Sequence, residues 1–207
     1  MATQVEFWFE FASSYSYLSV MRIEEEAAKR GVTVTWQPFL LGPAFKAHGW
    51  DTSPFKIYPL KDKYMWRDME RRSAALGLSF NRPPPDTMDY FPQFTVTAAR
   101  IAIIGLEQDW GKDFCRNVCR AEWIDCANIA DKDLLQDLAV KSGAPANILK
   151  IADHPDNKFK LRTHTERAAE LNIFGAPSFI VGNELFWGDD RLEDALDWAK
   201  NFNQRNT

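Results

Sequence analysis

VEFWFEFASSYSYLS, residues 5–19, is the stretch on which the reading of the chain turns. Val5, Phe7, Phe9 and Phe11 alternate with Glu6, Trp8 and Glu10. A period of two marks a β-strand, and Trp8 implies that the second face is partly covered as well. At Ala12 the alternation stops. Ser13-Ser14-Tyr15-Ser16 leads into a helical pattern carrying Leu18, Met21 and Ile23. A buried strand thus delivers a hydroxyl-rich turn to the mouth of a helix. Free backbone N–H groups and the positive end of the helix dipole gather there, where an anion or a thiolate is stabilised. The same serine also suits the ordinary N-cap, its oxygen taking one free N–H. No capping box supports that second reading, because Ser16 and Tyr17 stand where a Glu or Gln would close it. Both readings stay open at this point.

Outward from this stretch, the helix is expected to end at Gly31. Val32, Val34, Trp36, Phe39 and Leu40 read as a second strand interrupted by Pro38. Residues 5–41 therefore form a βαβ unit with a right-handed crossover and parallel strands. Residues 42–62 contain Gly42, Pro43, Gly49, Pro54 and Pro59 and no sustained period. They read as a long functional or mobile loop, pinned by Phe45, Trp50, Phe55 and Tyr58. Helices are expected over 63–76, 95–108, 112–124, 131–143, 145–152 and 155–172, with a stiff proline-rich connection over 82–92. Ser178–Val181 and Glu184–Trp187 then read as a hairpin around Gly182-Asn183, followed by an amphipathic helix with Leu192, Ala195, Leu196 and Trp198.

The composition narrows the function classes. With 207 residues the chain suits one domain, or one domain with a large insertion. Eight Trp and 15 Phe supply both a core and aromatic pocket walls. A net charge of -4 and the lack of a basic stripe argue against nucleic acid. No apolar run approaches a membrane span, and residues 1–7 carry no signal-peptide pattern, so a soluble, cytoplasmic protein is expected. Cys115, Cys119 and Cys126 are an odd set without Cys-x-x-Cys, and His48, His154 and His164 lack metal-ligand spacing. Neither a dithiol nor a metal site is expected.

A βαβ unit followed by ββα, with a proline just before the third strand, resembles the thioredoxin fold. The fold class expected is α/β, thioredoxin-like, with a large all-helical insertion. Residues 1–41 and 160–207 form the thioredoxin-like domain, and 42–159 form the loop and helical insertion. Phe9-x-Phe11-x-Ser13, Tyr-Met-Trp-Arg-Asp at 64–68, Phe-Gly-Ala-Pro at 174–177 and Leu-Phe-Trp-Gly-Asp-Asp-Arg at 185–191 together resemble the 2-hydroxychromene-2-carboxylate isomerases. These are relatives of the kappa-class glutathione transferases.

That resemblance implies glutathione as cofactor, a small aromatic carboxylate as substrate and a homodimer. It makes Ser13 the catalytic residue, its hydroxyl donating to the glutathione thiolate, with Ser14 and Tyr15 in the same turn of the cofactor site. Where thioredoxin-like disulfide enzymes carry Cys-x-x-Cys, this chain has Ser13 to Ser16. The nucleophile is therefore borrowed from a cofactor. The resemblance implies a cis Pro177, with the Ala176 backbone pairing with the cysteinyl part of glutathione. It gives Asp189 and Asp190 the γ-glutamyl end, and Lys61 and Thr52 further contacts. Trp50, Phe55, Tyr64, Trp66 and Phe91 are candidates for an aromatic wall. Three positions depart from the family pattern: Ser14 for a usual Pro, Asp51 for a frequent Asn, and Asp189 for a neutral polar residue. Extra carboxylates near an anionic tripeptide would retune its binding. A kappa-like transferase or glutathione-dependent oxidoreductase would share this site, and a non-catalytic thioredoxin-like binding module would need only the fold.

Overall fold

The computed structural model describes residues 4–83 and 91–205, with side chains to 201. β1 (Gln4–Phe9) runs parallel to β2 (Thr33–Pro38), joined by α1 (Ser14–Arg30). β3 (Ser178–Val181) pairs antiparallel with β1, and β4 (Glu184–Trp187) pairs antiparallel with β3. The sheet order is β2-β1-β3-β4. The βαβ unit and the hairpin stand as the periodicity predicts. Gly31 closes α1 in the left-handed region at φ 66°, and Gly182 opens the hairpin turn at φ 61°. A side chain with a Cβ is disfavoured in that region.

Both faces of the sheet are covered, which explains why Trp8 is as buried as Phe7 and Phe9. On one face Phe7 stacks on Phe9 at 5.2 Å and on Phe179 at 5.5 Å, with Trp36 edge-on at 5.3 Å. This face packs against α1 and against α10 (Leu192–Arg205), through Leu192, Ala195 and Leu196. On the other face Trp8, Phe39 and Ile180 pack on Ala168 and Ile173, from and just after α9 (Pro155–Glu170). Aromatic pairs of this kind add about 0.5–1.5 kcal/mol each beyond the area they bury.

Between the strands lies the helical block. The expected loop over 42–62 is instead α2 (Leu41–Ala47), α3 (Pro54–Ile57) and the first turn of α4 (Pro59–Ala75). Neither α2 nor α3 has a buried residue, so neither carries an apolar stripe that periodicity would detect. α5 (Val96–Leu106), α6 (Gly111–Trp123), α7 (Lys132–Ser142) and α8 (Ile148–Ala152) follow. Asp131 caps α7 by accepting the Asp133 N–H at 2.9 Å, as the sequence predicts. Pro145 lies ahead of α8 rather than in its first turn. The domain boundary expected at 159/160 falls inside α9. Most of the expected connection over 82–92 lies outside the described residues. Trp66, Phe80, Phe91 and Trp123 meet in a second aromatic cluster under this block.

The corner between α5 and α6 is unusually tight. A Cβ on Gly111 would collide with the backbone of Gly105 and Leu106. Backbone atoms cannot swing aside as a side chain can. Gly111→Ala is therefore expected to lower the unfolding free energy by about 1–3 kcal/mol. Urea denaturation checks this, with Gly42→Ala as the control at a helical position where an added Cβ meets nothing.

Candidate active site

β1, β3 and β4 converge on one edge of the sheet. β1 ends there and hands the chain to α1, while β3 begins there and β4 ends there. Ser13 occupies the N-cap of α1 with extended backbone, φ -92° and ψ 112°. Its Oγ accepts the Ser16 N–H at 3.3 Å and donates to the Ala176 carbonyl at 2.8 Å. The cap reading and the site reading of this serine are thus compatible. The same hydroxyl caps the helix and reaches a segment 163 residues away. The Ala176-Pro177 bond is cis, as is Phe91-Pro92, which the sequence reading did not anticipate. The first turn of α1 carries no acidic side chain, so nothing within it neutralises the positive end of the helix. Ser14 Oγ is buried there without a hydrogen-bond partner.

Tyr15 is half-buried, and its hydroxyl donates to Asp68 Oδ2 at 3.0 Å. Burial, then the hydrogen bond to Asp68, pushes the phenol pKa well up, so it stays neutral and remains a donor. Asp68 also receives Arg71 Nη2 at 3.1 Å. This pairing joins the first turn of α1 to α4.

Asp189 and Asp190 part company. Asp190 is exposed. Asp189 is 1% exposed, and its carboxylate is fully engaged. Oδ1 accepts from Ser19 Oγ at 2.9 Å and from Arg22 Nη2 at 3.0 Å, and Oδ2 accepts from Arg72 Nη2 at 2.6 Å. Arg22 Nη2 also donates to the Asp189 carbonyl at 2.9 Å. The carboxylate therefore pairs with two arginines, Arg22 being shared with Glu193, and fastens α10's leading turn, Asp189–Arg191, to α1 and α4. It does not add free negative charge to the edge. Thr52 and Lys61 sit on exposed backbone around α3 and the start of α4, Lys61 with its ammonium 5.0 Å from the Tyr58 ring. Hydrogen bonds bring together Ser13 and Ala176. Thr52, Lys61 and Asp190 stand outside that link.

Of the aromatic-wall candidates, Trp66 and Phe91 are core residues. Phe55 leans on Phe91 at 6.4 Å, Trp50 leans on Phe45 at 6.2 Å, and Tyr64 is exposed. Phe174 and Trp187, both half-exposed, pack edge to face at 4.9 Å beside the Ala176 segment. A Cβ on Gly175 would strike the Trp187 indole, so glycine lets the ring lie against this segment. Among the described residues, no group of three or more His, Cys, Asp or Glu could hold a metal ion, and no helix is long and apolar enough to cross a membrane.

A helix mouth opposite a cis-proline segment on a four-stranded sheet of this order is the frame of a known family, whose model, the DSBA-like thioredoxin domain, matches residues 4–197. The chain belongs to that family. Within it the chain is 26% identical over 195 residues to a protein named 2-hydroxychromene-2-carboxylate isomerase from Sphingobium xenophagum, covering 93% of this chain and 96% of that one. It is 25% identical over 204 residues to glutathione S-transferase kappa 1 of Caenorhabditis elegans, covering 91% and 87%. A solved 2-hydroxychromene-2-carboxylate isomerase superposes with a TM-score of 0.81 at 21% identity, covering 99% of each chain, a likeness of fold.

Sequence reasoning missed several residues of this DsbA-like site: Arg22 and Arg72, which hold Asp189, and Asp68, which holds Tyr15. Asp68 closes the Tyr-Met-Trp-Arg-Asp stretch without its partner being evident, and Arg22 and Arg72 lie in no motif, since all three meet partners remote in sequence. Asp189→Ala is expected to cost about 3 kcal/mol, since it takes the ion-pair partner from Arg72 and leaves Arg22 only Glu193, while Asp190→Asn should change stability by less than about 0.5 kcal/mol. Urea titrations of the two variants check the contrast.

Proposed function

We propose that this DsbA-like protein is a glutathione-dependent isomerase acting on 2-hydroxychromene-2-carboxylate-type intermediates of aromatic degradation. The observation that carries the reading is the Ser13 hydroxyl, held at the mouth of α1 and aimed at the Ala176 carbonyl. The residues present suit a thiol tripeptide. Ser13 Oγ can turn its proton from the carbonyl to a thiolate. The unneutralised helix end lowers a thiol pKa in the way it does for protein cysteines. Ser14 Oγ is a buried polar atom still without a partner. Glutathione, once bound, supplies a thiolate that adds reversibly to the conjugated substrate and leaves after bond rotation, so none is consumed.

On this reading Ser13 stabilises the thiolate and Ala176 offers its backbone to the cysteinyl unit as an added strand would. Tyr15 and Ser14 line the turn. Asp190 meets the γ-glutamyl ammonium, and Lys61 and Thr52 close on the remaining end. Asp189 acts at one remove, by holding Arg22 and Arg72. The enzyme is taken to be a homodimer, as the resemblance implies, and to be cytoplasmic. The relatives named glutathione S-transferase kappa favour a second reading, in which the same site consumes the thiol.

Calorimetric titration with reduced glutathione tests the site. Binding by the wild type is expected. Ser13→Ala should lower kcat by about 10²-fold, the loss of one oriented donor to a developing anion. With a chromene carboxylate as substrate, a constant thiol concentration during turnover supports the isomerase, and a falling one the transferase. Full activity in Ser13→Ala would remove Ser13 from its assigned role.

A further inference from the structure

Glu10 follows β1 on the Trp8 side of the alternation and is 6% exposed. β1 ends at Phe9, and the chain folds Glu10 beneath the turn that carries Ser13. The Leu41 N–H donates to one carboxyl oxygen at 3.0 Å, and Thr95 Oγ1 hydrogen-bonds the other. The N–H groups of Phe11 and Ala12 also face this carboxyl group. Its main chain extends the clasp, the carbonyl accepting the Ser13 N–H at 3.1 Å and the N–H facing Ser16 Oγ at 3.5 Å. One residue thus joins the end of β1, the start of α1, the first residue of α2 and the N-cap of α5. Burying a carboxyl group is costly, and a Leu or Met would fill the space without that cost.

The neighbours of Glu10 are mostly uncharged. The α1 turn offers Ser13 and Ser16, α2 an N–H and α5 a hydroxyl. The titratable group facing it is Glu122 of α6, itself fully buried. We propose that Glu10 is a positioning residue that fixes Ser13 through the turn between them, and that gain or loss of a proton on its carboxyl group shifts that turn. The ionised group accepts from Leu41, Phe11 and Ala12 together. Once protonated, one oxygen becomes a donor. Thr95 can reverse its hydroxyl to accept that proton, while the remaining carbonyl oxygen, now uncharged, holds the three N–H groups less strongly. Their bonds slacken, and two of them lie in the residues leading into Ser13. Burial supports a change within the working range, holding Glu10 up to about 7.

The mechanical part of this inference can be read without any ligand. In the ligand-free wild type, the amide resonances of Phe11, Ala12, Ser13 and Leu41 are expected to titrate together with a midpoint near 7, far above the ordinary 4.5. Glu10→Gln should abolish that titration. Linkage supplies a second readout. Between 4.5 and about 7 the folded chain holds a proton that the unfolded chain has released. Stability therefore declines as pH rises through that window and levels off above it, and the Gln variant should lack the decline. Amides that stay flat, or that titrate unchanged in Glu10→Gln, would overturn the inference. If the variant does not fold, the wild-type titration decides alone.

The catalytic part rests on the glutathione reading. There Glu10→Gln should lower kcat about tenfold or more, as displacement of an oriented group does, with the KM for glutathione little changed. An unchanged kcat would remove Glu10 from the positioning of Ser13. If the wild type fails to bind glutathione in calorimetry, the proposed function falls, while the amide titration still tests Glu10.

Discussion

The link from Ser13 to Ala176 is where the two halves of the sheet become one site. β1 and α1 are local, formed by neighbouring residues of the chain. β3 arrives only after the whole helical block has intervened. The 2.8 Å hydrogen bond between them sets the mouth of α1 against the cis-proline segment at the convergent edge of the sheet. Everything around it serves that register. Phe7, Phe9 and Phe179 stack beneath it on one face, and Trp8, Phe39 and Ile180 seal the other. Such a buried, two-faced strand tolerates no slip, because a shift by one residue would exchange the two faces.

Electrostatics at the edge follow from how charge is stored. A carboxylate at 189 looks from sequence like an added negative charge beside an anionic ligand. In the fold it is the centre of a cluster with Arg22 and Arg72, and the serine of α1 at 19 completes its shell. Arg72 takes its ion pair from Asp189, and Arg22 divides its guanidinium between Asp189 and Glu193. The cluster also brings α1, α4 and the leading turn of α10 to one point, so the same charges that could perturb the site instead brace its wall. Asp190, one residue on, is left to solvent and to the loose company of Arg191 at 3.6 Å.

The strands, the helix mouth and the serine at 13 were legible because each has a local signature: period two, a break at Ala12, a hydroxyl before an apolar helix. The hairpin was legible from Gly182-Asn183. What was hidden depends on tertiary contact. α2 and α3 bury no residue, so their sequence shows no stripe. Glu10 carries no signature of its role, because alternation gives no sign that the strand stops one residue earlier. Arg22 and Arg72 read as solvated charges until Asp189 is seen between them. Trp66 and Phe91, offered as pocket wall, are core, since aromatic residues at helical spacing do not announce which face they will meet.

The thiols argue the last step. Cys115 and Cys119 lie fully buried on α6, where burial drives both thiol pKa values well up, and Glu122 adds to that at Cys119. A thiol that cannot ionise is neither a nucleophile nor a ready partner in exchange. Cys126 is more open, but burial and the neighbouring Asp125 raise its pKa as well. In contrast, the mouth of α1 carries hydroxyls from Ser13 to Ser16, no sulfur and no acidic side chain in its first turn. On the proposed reading, that helix mouth would keep the electrostatic half of a thiol site and leave the sulfur to a cofactor. An environment tuned for a thiolate, beside a backbone segment open to strand-like pairing, is what a borrowed thiol would require.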